Sequence, residues 1–293
     1  MSNLEISRAE RLDQRVVSLL PTLSRSFAVR LIEDGKVTVN GKVGSKGGTK
    51  VKPHDVVFVD FDPDAVVIPE IELPILYEDD ECVVIVKPLG LLTHSKGAFN
   101  PEASVATWLH NRIKDENLLD QDKNSLNNRA GIVHRLDRAT SGVMICAKTP
   151  KALSWLQKQF ATRNVHKTYM AVVSGHMNPE EAIVDMPIER NPKAPATFRV
   201  GQQGKDSVTH YRTVKTNKKH SMLELKPTTG RTHQLRVHLN YLGHPIVGDT
   251  MYGGEKANRL FLHARELELT MPGTHDRMTF TAPLPPEFEE YVK

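Results

Sequence analysis

The spacing of apolar residues changes along the chain, from helical periodicity near the N-terminus to strand-like runs further on. Apolar positions in residues 12–20 recur at helical spacing, and Ser24 precedes a second helical pattern that ends at Gly35. Residues 37–43 alternate as a strand interrupted by Asn-Gly, a strong signal for a two-residue β-hairpin. These elements predict a small α/β domain over residues 1–60.

A proline-containing stretch over residues 61–75 has little periodicity and is interpreted as a linker. A larger domain is expected over residues 76–293. Strands are predicted in residues 82–88, 167–173, 211–214, 221–225, 266–269 and 278–281, and helices at 105–113, from Pro150 onward and from Thr232 onward. Residues 185–210 are interpreted as a polar excursion without strands, and residues 120–128 as an exposed loop.

Composition adds few constraints beyond solubility. The 293 residues are 39% hydrophobic and 25% charged, with a formal net charge of +4, which permits a polyanionic partner without requiring one. The two cysteines, Cys82 and Cys146, fall in apolar runs, so no disulfide framework is predicted. No leader or bilayer-spanning run is evident, and a cytoplasmic protein is expected.

A polar loop before the apolar run 143–147 carries the strongest chemical signal. Residues 134–142 read His-Arg-Leu-Asp-Arg-Ala-Thr-Ser-Gly, and the flanking residues on both sides are predicted to be strands. Asp137 lies between Arg135 and Arg138, and nearby cations favour an ionised carboxylate. Asp137 is therefore a candidate nucleophile or general base, although the same residues could simply form solvated ion pairs.

A second dense motif lies at residues 230–243, Gly-Arg-Thr-His-Gln-Leu-Arg-Val-His-Leu-Asn-Tyr-Leu-Gly. Thr232 is predicted to cap a helix, which places Arg231 at the mouth of that helix. Strand alternation puts Lys167 and Tyr169 on the same side of their strand. In isolation, Tyr169 would more often be a core aromatic, and Arg231 could contact only solvent.

Common catalytic signatures do not occur in the sequence. It contains no G-x-S-x-G, H-E-x-x-H or G-x-G-x-x-G pattern, and the spacing of His233, His238 and His244 does not converge on one ion. A reaction that uses one carboxylate without metal or cofactor is favoured. A metal-dependent hydrolase that uses the histidines is the less favoured alternative.

The two motifs resemble the signatures of the RluA/RluD-type RNA pseudouridine synthases. The similarity extends to residues 82–94, to Lys167-x-Tyr169-x-Ala171, to Leu-Phe-Leu-His-Ala at 260–264 and to Ala-Pro-Leu-Pro at 282–285. Residues 11–13, 24–25 and 35–41 resemble an S4-type RNA-binding domain. The resemblance implies an α+β fold, with a mixed, mainly antiparallel sheet and a central cleft, and an appended S4-like domain.

The resemblance also implies roles for individual residues. Asp137 would act at the ribose as nucleophile or base, and Arg231 would pair with Asp137 and keep it ionised. Tyr169 would stack on a flipped uracil. Arg135 would fill the gap left by the flipped nucleotide or clamp its phosphate.

The implied partner is RNA, in particular 23S ribosomal RNA or an assembly intermediate of the large subunit. Lys167, Arg25, Arg30, Lys36 and Lys42 are expected to contact it. No metal, cofactor or membrane is expected to take part, and the chain is expected to be a monomer. The main alternative is a non-catalytic RNA-binding factor in ribosome assembly. For the basic N-terminal domain, an alternative is that it mediates contacts within the protein.

Overall fold

The computed structural model describes residues 9–62, 65–94, 102–113, 118 and 131–293. The loop predicted at 120–128 lies outside these residues. The α-helices are Leu12–Leu19 (α1), Arg25–Glu33 (α2), Val105–His110 (α3), Pro150–Ala161 (α4), Gln234–Tyr241 (α5) and Pro286–Tyr291 (α6), and Thr250–Tyr252 is a 3-10 turn.

The strands fall into a small N-terminal group and a large group that follows it. The first are β1 Glu10–Arg11, β2 Val37–Val39, β3 Lys42–Val43, β4 Lys50–Val51 and β5 Val57–Val59. The second are β6 Ile75–Glu78, β7 Cys82–Lys87, β8 Ser141–Ala147, β9 His166–Ser174, β10 Glu181–Asp185, β11 Ile188–Arg190, β12 Phe198–Val200, β13 Val208–Thr216, β14 His220–Pro227, β15 Leu262–Thr270 and β16 Arg277–Thr281.

The N-terminal unit packs α1 and α2 against a three-stranded sheet in the order β3-β2-β5. Ser24 caps α2 as predicted, because its hydroxyl accepts a hydrogen bond from the Phe27 N–H. The predicted hairpin is also confirmed: Val39 pairs with Lys42, and Asn40 and Gly41 have φ angles of 51° and 77°. Left-handed conformation at both turn positions is what a tight hairpin requires.

The larger unit is built on a nine-stranded sheet, with the order β10-β13-β14-β9-β15-β8-β7-β6 and β16 paired to β15. β15 and β8 run parallel, whereas the other paired neighbours described in this sheet are antiparallel. The mixed, mainly antiparallel sheet expected from the sequence is therefore confirmed. Helix α4 packs on β7 and β8 through Ala152 and Leu156, while Leu235 and Leu239 of α5 pack near β9 and β14.

Glycine is required where the Asp137 loop enters the sheet. Gly142 has a φ of +124°, and a Cβ atom at this position would lie 2.2 Å from the Ala264 carbonyl oxygen on β15. Strands were predicted on both sides of this loop, and β8 follows it as expected. On the other side, Ile132 forms only an isolated bridge with Cys146. The loop is thus followed by a strand but, within the described residues, is not directly preceded by one.

Three other expectations are corrected by the structure. The 185–210 excursion contains the short β11–β12 hairpin, and β13 begins at Val208. Helix α3 ends at His110, before the predicted residue 113. Helix α5 begins at Gln234, with His233 rather than Thr232 as its N-cap. Strands of three residues are too short for alternation to predict, and the His233 backbone turns the chain into the helix one residue later than a Thr232 cap would.

Candidate active site

A cleft of about 510 Å³ opens beside the Asp137 loop. Its walls come from that loop, the end of α4, the start of β9 and residues 227–236. Asp137, Arg135, Lys167, Tyr169 and Arg231 all line it. The structure therefore brings together the candidate residues that the two motifs placed about 100 positions apart.

The guanidinium beside Asp137 belongs to Arg236. Its Nη1 lies 3.5 Å from Asp137 Oδ2, while Nε and Nη2 each donate to a different carboxylate oxygen of Asp249 at 2.7 Å. Such a two-point hydrogen-bonded pair fixes the direction of the arginine as well as its charge. Asp249 thus holds Arg236 in position, and Arg236 presents its remaining nitrogen to Asp137.

Burial strengthens this arrangement. The side chains of Arg236 and Asp249 are 8% and 1% exposed, and the Arg236 guanidinium lies 4.9 Å from the ring centre of Tyr252. Burial disfavours the charge on Arg236, but hydrogen bonds to Asp249 and the charges of both carboxylates raise the pKa of the guanidinium. Arg236 therefore remains a cation at any pH at which the protein is folded.

The predicted pairing of Arg231 with Asp137 is wrong. Arg231 precedes α5, and its Nε donates to the Asp206 carbonyl at 3.0 Å. Arg236 occupies the first turn of the helix, from which its side chain reaches Asp137. The structure shows why: six consecutive residues from Gln234 to Leu239 are buried, and a buried arginine requires a carboxylate partner. The sequence pattern indicated a helix with a single apolar stripe that does not include Arg236, so burial of this residue was not predicted.

Tyr169 extends from β9 into the same cleft and is partly exposed there. Burial, together with the negative charge of Asp137, raises the pKa of its phenol. Tyr169 therefore remains protonated and presents a neutral aromatic ring near the carboxylate.

Lys167 and His134 form a second wall of the cleft. Lys167 Nζ donates to the Thr229 carbonyl at 3.1 Å, and burial lowers the pKa of its ammonium group to about 8. His134 stacks on Phe160, its Nε2 accepts from the Ile145 N–H at 3.1 Å, and burial lowers the pKa of its imidazole to about 3. At neutral pH this wall presents one cation and one neutral ring.

Two residues outside the predicted set hold the Asp137 loop. Lys87 is fully buried, and its Nζ donates to the carbonyls of Pro88 at 2.9 Å and Leu91 at 2.8 Å and, more distantly, to that of Arg138 at 3.4 Å. The Thr93 hydroxyl donates to the Leu136 carbonyl at 2.8 Å. The sequence signal for Lys87 is a lysine that ends a buried apolar strand.

Arg135 projects from the loop between these anchors and is exposed at the cleft. Leu136 next to it is buried, so these two neighbours point in different directions, Arg135 to solvent and Leu136 to the core. Arg135 can therefore contact a ligand in the cleft.

The basic residues predicted in the N-terminal unit are all exposed and lie outside the cleft. Arg25 and Arg30 lie on α2, Lys36 precedes β2 and Lys42 begins β3. Arg25 Nε donates to Asp13 at 3.1 Å, and Lys36 pairs with Asp60 at 3.3 Å. These four exposed residues are the basic surface of the N-terminal unit. Arg30 Nη2 lies 4.0 Å from Glu102, and Arg138 in the Asp137 loop lies 3.0 Å from the other oxygen of the same carboxylate.

Within the described residues, no group of three or more His, Cys, Asp and Glu side chains is arranged to hold a metal ion. In the same part of the chain, no helix has the length and apolar character needed to cross a membrane.

The fold is similar to that of two human proteins of known structure. Human RNA pseudouridylate synthase domain containing 1 matches with a TM-score of 0.59 and 27% identity, over 74% of this chain and 86% of that chain. Human RNA pseudouridylate synthase domain containing 4 matches with a TM-score of 0.56 and 27% identity, over 74% of this chain and 90% of that one.

Comparison of sequences defines the family. The model described as RNA pseudouridylate synthase matches residues 81–241, and the S4 domain model matches residues 10–57. The chain belongs to the RNA pseudouridylate synthase family and carries an S4 domain.

Curated relatives match along nearly the whole chain. The ribosomal large subunit pseudouridine synthase D of Yersinia pestis is 37% identical, over 98% of this chain and 91% of its own length. The enzyme of the same name from Escherichia coli K12 is 37% identical, over 97% of this chain and 90% of its own.

Proposed function

We propose that this pseudouridine synthase converts uridines of large-subunit ribosomal RNA, free or in an assembly intermediate, to pseudouridine. The relatives that carry this name match from end to end, S4 domain included. The observation that carries the chemical assignment is the ion-pair chain Asp249–Arg236–Asp137 at the cleft. It supports a single ionised carboxylate, held in one orientation, as the reactive group.

The isomerisation needs no external reagent. The C1′–N1 bond breaks, the uracil turns, C5 joins C1′, and the proton lost from C5 is balanced by the one gained at N1. Asp137 would act at the ribose, either as the nucleophile at C1′ or as the base that removes a sugar proton. Arg236 would hold this carboxylate in its orientation throughout.

The cleft walls would hold the flipped nucleotide. Tyr169 would supply the aromatic surface on which the uracil stacks, since a flipped base is usually held between flat side chains. Lys167, whose ammonium has a carbonyl but no carboxylate partner among the described residues, would contact an RNA phosphate. Arg135 would occupy the space vacated in the RNA or clamp the phosphate of the flipped nucleotide.

The S4-like unit would supply affinity without taking part in the chemistry. We assign residues 1–60 to it, residues 61–75 to a linker and residues 76–293 to the catalytic domain. Arg25, Arg30, Lys36 and Lys42 would contact RNA phosphates. The protein would act as a cytoplasmic monomer.

Replacement of Asp137 by Asn tests the catalytic assignment. The amide keeps the size of the side chain but loses its charge, so pseudouridine formation is expected to fall below detection while RNA affinity changes less than about twofold. Asp80→Asn, at an exposed position outside the cleft, is the matched control. The readout is pseudouridine mapping in ribosomal RNA from cells that lack the gene.

Two outcomes would count against the proposal. If the wild-type protein binds this RNA but modifies no uridine in it, the substrate assignment is wrong. If the Asp137→Asn protein modifies RNA at the wild-type rate, Asp137 is not the reactive group.

A further inference from the structure

His233 lines the same cleft as the proposed catalytic carboxylate. Its Nε2 lies 3.8 Å from Asp137 Oδ2, the oxygen that Arg236 also approaches. The His233 side chain is only 15% exposed. Its backbone is left-handed, with a φ of 57°, which is uncommon for a residue other than glycine and recurs at functional sites.

The other ring nitrogen is held by Tyr252. His233 Nδ1 lies 2.8 Å from the Tyr252 hydroxyl, and the ring of Phe198 packs against the imidazole at a centroid distance of 5.6 Å. The Tyr252 oxygen also accepts a hydrogen bond from the Phe198 N–H at 2.9 Å. The imidazole is therefore fixed in position before any RNA binds.

These contacts determine which nitrogen carries the proton. Because the Tyr252 oxygen already accepts from Phe198, its own proton is available to His233 Nδ1. A neutral imidazole that accepts at Nδ1 carries its proton at Nε2, and this nitrogen points toward Asp137.

Burial is the main reason that the imidazole of His233 favours its neutral form. Burial lowers the pKa of His233 and outweighs the carboxylates of Asp137 and Asp249, while Arg236 and Arg135 lower it further. At neutral pH, Asp137 Oδ2 is thus faced by one cation, Arg236, and by one neutral N–H.

We propose that His233 is a positioning residue for Asp137, which directs its Nε2–H to Oδ2 so that Oδ1 is left to face the ribose. Among the described residues, Oδ1 accepts no hydrogen bond. The 3.8 Å separation is longer than a hydrogen bond, and catalytic contacts of this kind shorten when substrate binds. This inference rests on the proposed role of Asp137.

Two substitutions of His233 separate the two nitrogens. The amide nitrogen of Gln reaches the position of Nε2 and can still donate to Asp137, whereas the shorter Asn side chain reaches only the position of Nδ1. His233→Asn is expected to lower kcat about 10–100-fold with KM within about twofold, because a hydrogen bond to a charged group is lost. His233→Gln is expected to stay within about threefold of the wild-type kcat.

Equal loss of kcat in both variants, with melting temperatures unchanged, would overturn the proposal, as would no loss in either. Loss of wild-type activity on Asp137→Asn does not depend on His233. If His233→Asn and His233→Gln do not differ, but Asp137→Asn still abolishes activity, only the role of His233 is wrong and the proposed function stands.

The tautomer can be measured without reference to activity. Nitrogen NMR of protein with ¹⁵N-labelled histidine, with the His233 signal assigned from its absence in His233→Asn, should show a neutral ring protonated at Nε2 at pH 7. A ring protonated at Nδ1, or a cationic ring, would overturn the proposal. In Tyr252→Phe, which removes the hydroxyl donor but keeps the ring under Arg236, the signal is expected to shift toward a mixture of tautomers.

Discussion

Arginine has different surroundings in the two parts of this molecule. In the S4-like unit, the Arg25 side chain is 53% exposed and lies on the outside of a small domain. In the cleft, the Arg236 side chain is 8% exposed and is held by a carboxylate that is itself 1% exposed. Arg25 keeps about half of its side chain in solvent although its Nε bonds to the buried Asp13, whereas Arg236 is enclosed and presents its charge in a single direction.

This difference separates affinity from chemistry. Exposed charges attract a polyanion over several ångströms and are screened by salt. Buried charges act only at contact distance and are scarcely screened, but they require a matched partner, which Asp249 provides for Arg236. The S4-like unit should therefore affect how tightly RNA binds. The Asp249–Arg236 pair should affect whether the bound RNA reacts.

Among the substitutions that test this difference between the two arginines, the largest effect is expected from Arg236→Met. This change removes the partner of Asp137 and leaves Asp249 buried without a counter-charge. We expect kcat to fall about 10²–10³-fold and the free energy of unfolding to fall by about 3–5 kcal/mol. Single-turnover pseudouridine formation and urea unfolding measure the two effects.

Arg231→Met is the matched control within the same motif. Arg231 bonds a backbone carbonyl rather than a carboxylate, so its loss should lower activity less than about tenfold and leave stability nearly unchanged. A larger loss of kcat in Arg231→Met than in Arg236→Met would reverse the assignment of the catalytic arginine.

A smaller effect, on binding alone, is expected from the double substitution Arg25→Gln and Lys42→Gln. Two lost phosphate contacts should weaken RNA binding about tenfold at physiological salt and reduce the slope of log K against log salt by about 1.4. The rate constant of bound RNA should not change. Lys218→Gln with Lys219→Gln, exposed on the β13–β14 turn, is the control of equal charge. If the two double variants have the same salt slope, the basic surface of the S4-like unit does not bind RNA.

The smallest expected effect is a change of RNA affinity with pH that depends on Lys167. The pKa of Lys167 is lowered by burial to about 8, from an ordinary 10.5, so this cleft lysine loses its charge as the pH rises through about 8. RNA affinity should fall about threefold between pH 7 and pH 9 if one phosphate contact is lost. In Lys167→Met this part of the pH dependence should vanish, and affinity should be low throughout. If the RNA affinity of the wild-type protein is constant between pH 7 and pH 9, Lys167 does not contact an RNA phosphate.

Features set by short-range interactions were predictable from the sequence. The Ser24 cap depends on a backbone N–H three residues away, and the Asn40-Gly41 turn depends on two adjacent residues that tolerate left-handed φ angles. Helix α4 begins at Pro150 because proline suits the first position of a helix. The Asp137 loop was located for a similar reason, since its polar residues interrupt apolar neighbours.

Only the tertiary structure decided which arginine meets Asp137. Arg231 and Arg236 lie five residues apart in one motif, and in the folded chain Arg231 precedes α5 whereas Arg236 lies on it and reaches the carboxylate. Asp249, which directs Arg236, lies outside the motif and reaches it through the turn after α5. Local sequence determines where a chain turns and caps, but the direction of a buried side chain depends on partners that only long-range packing brings into contact.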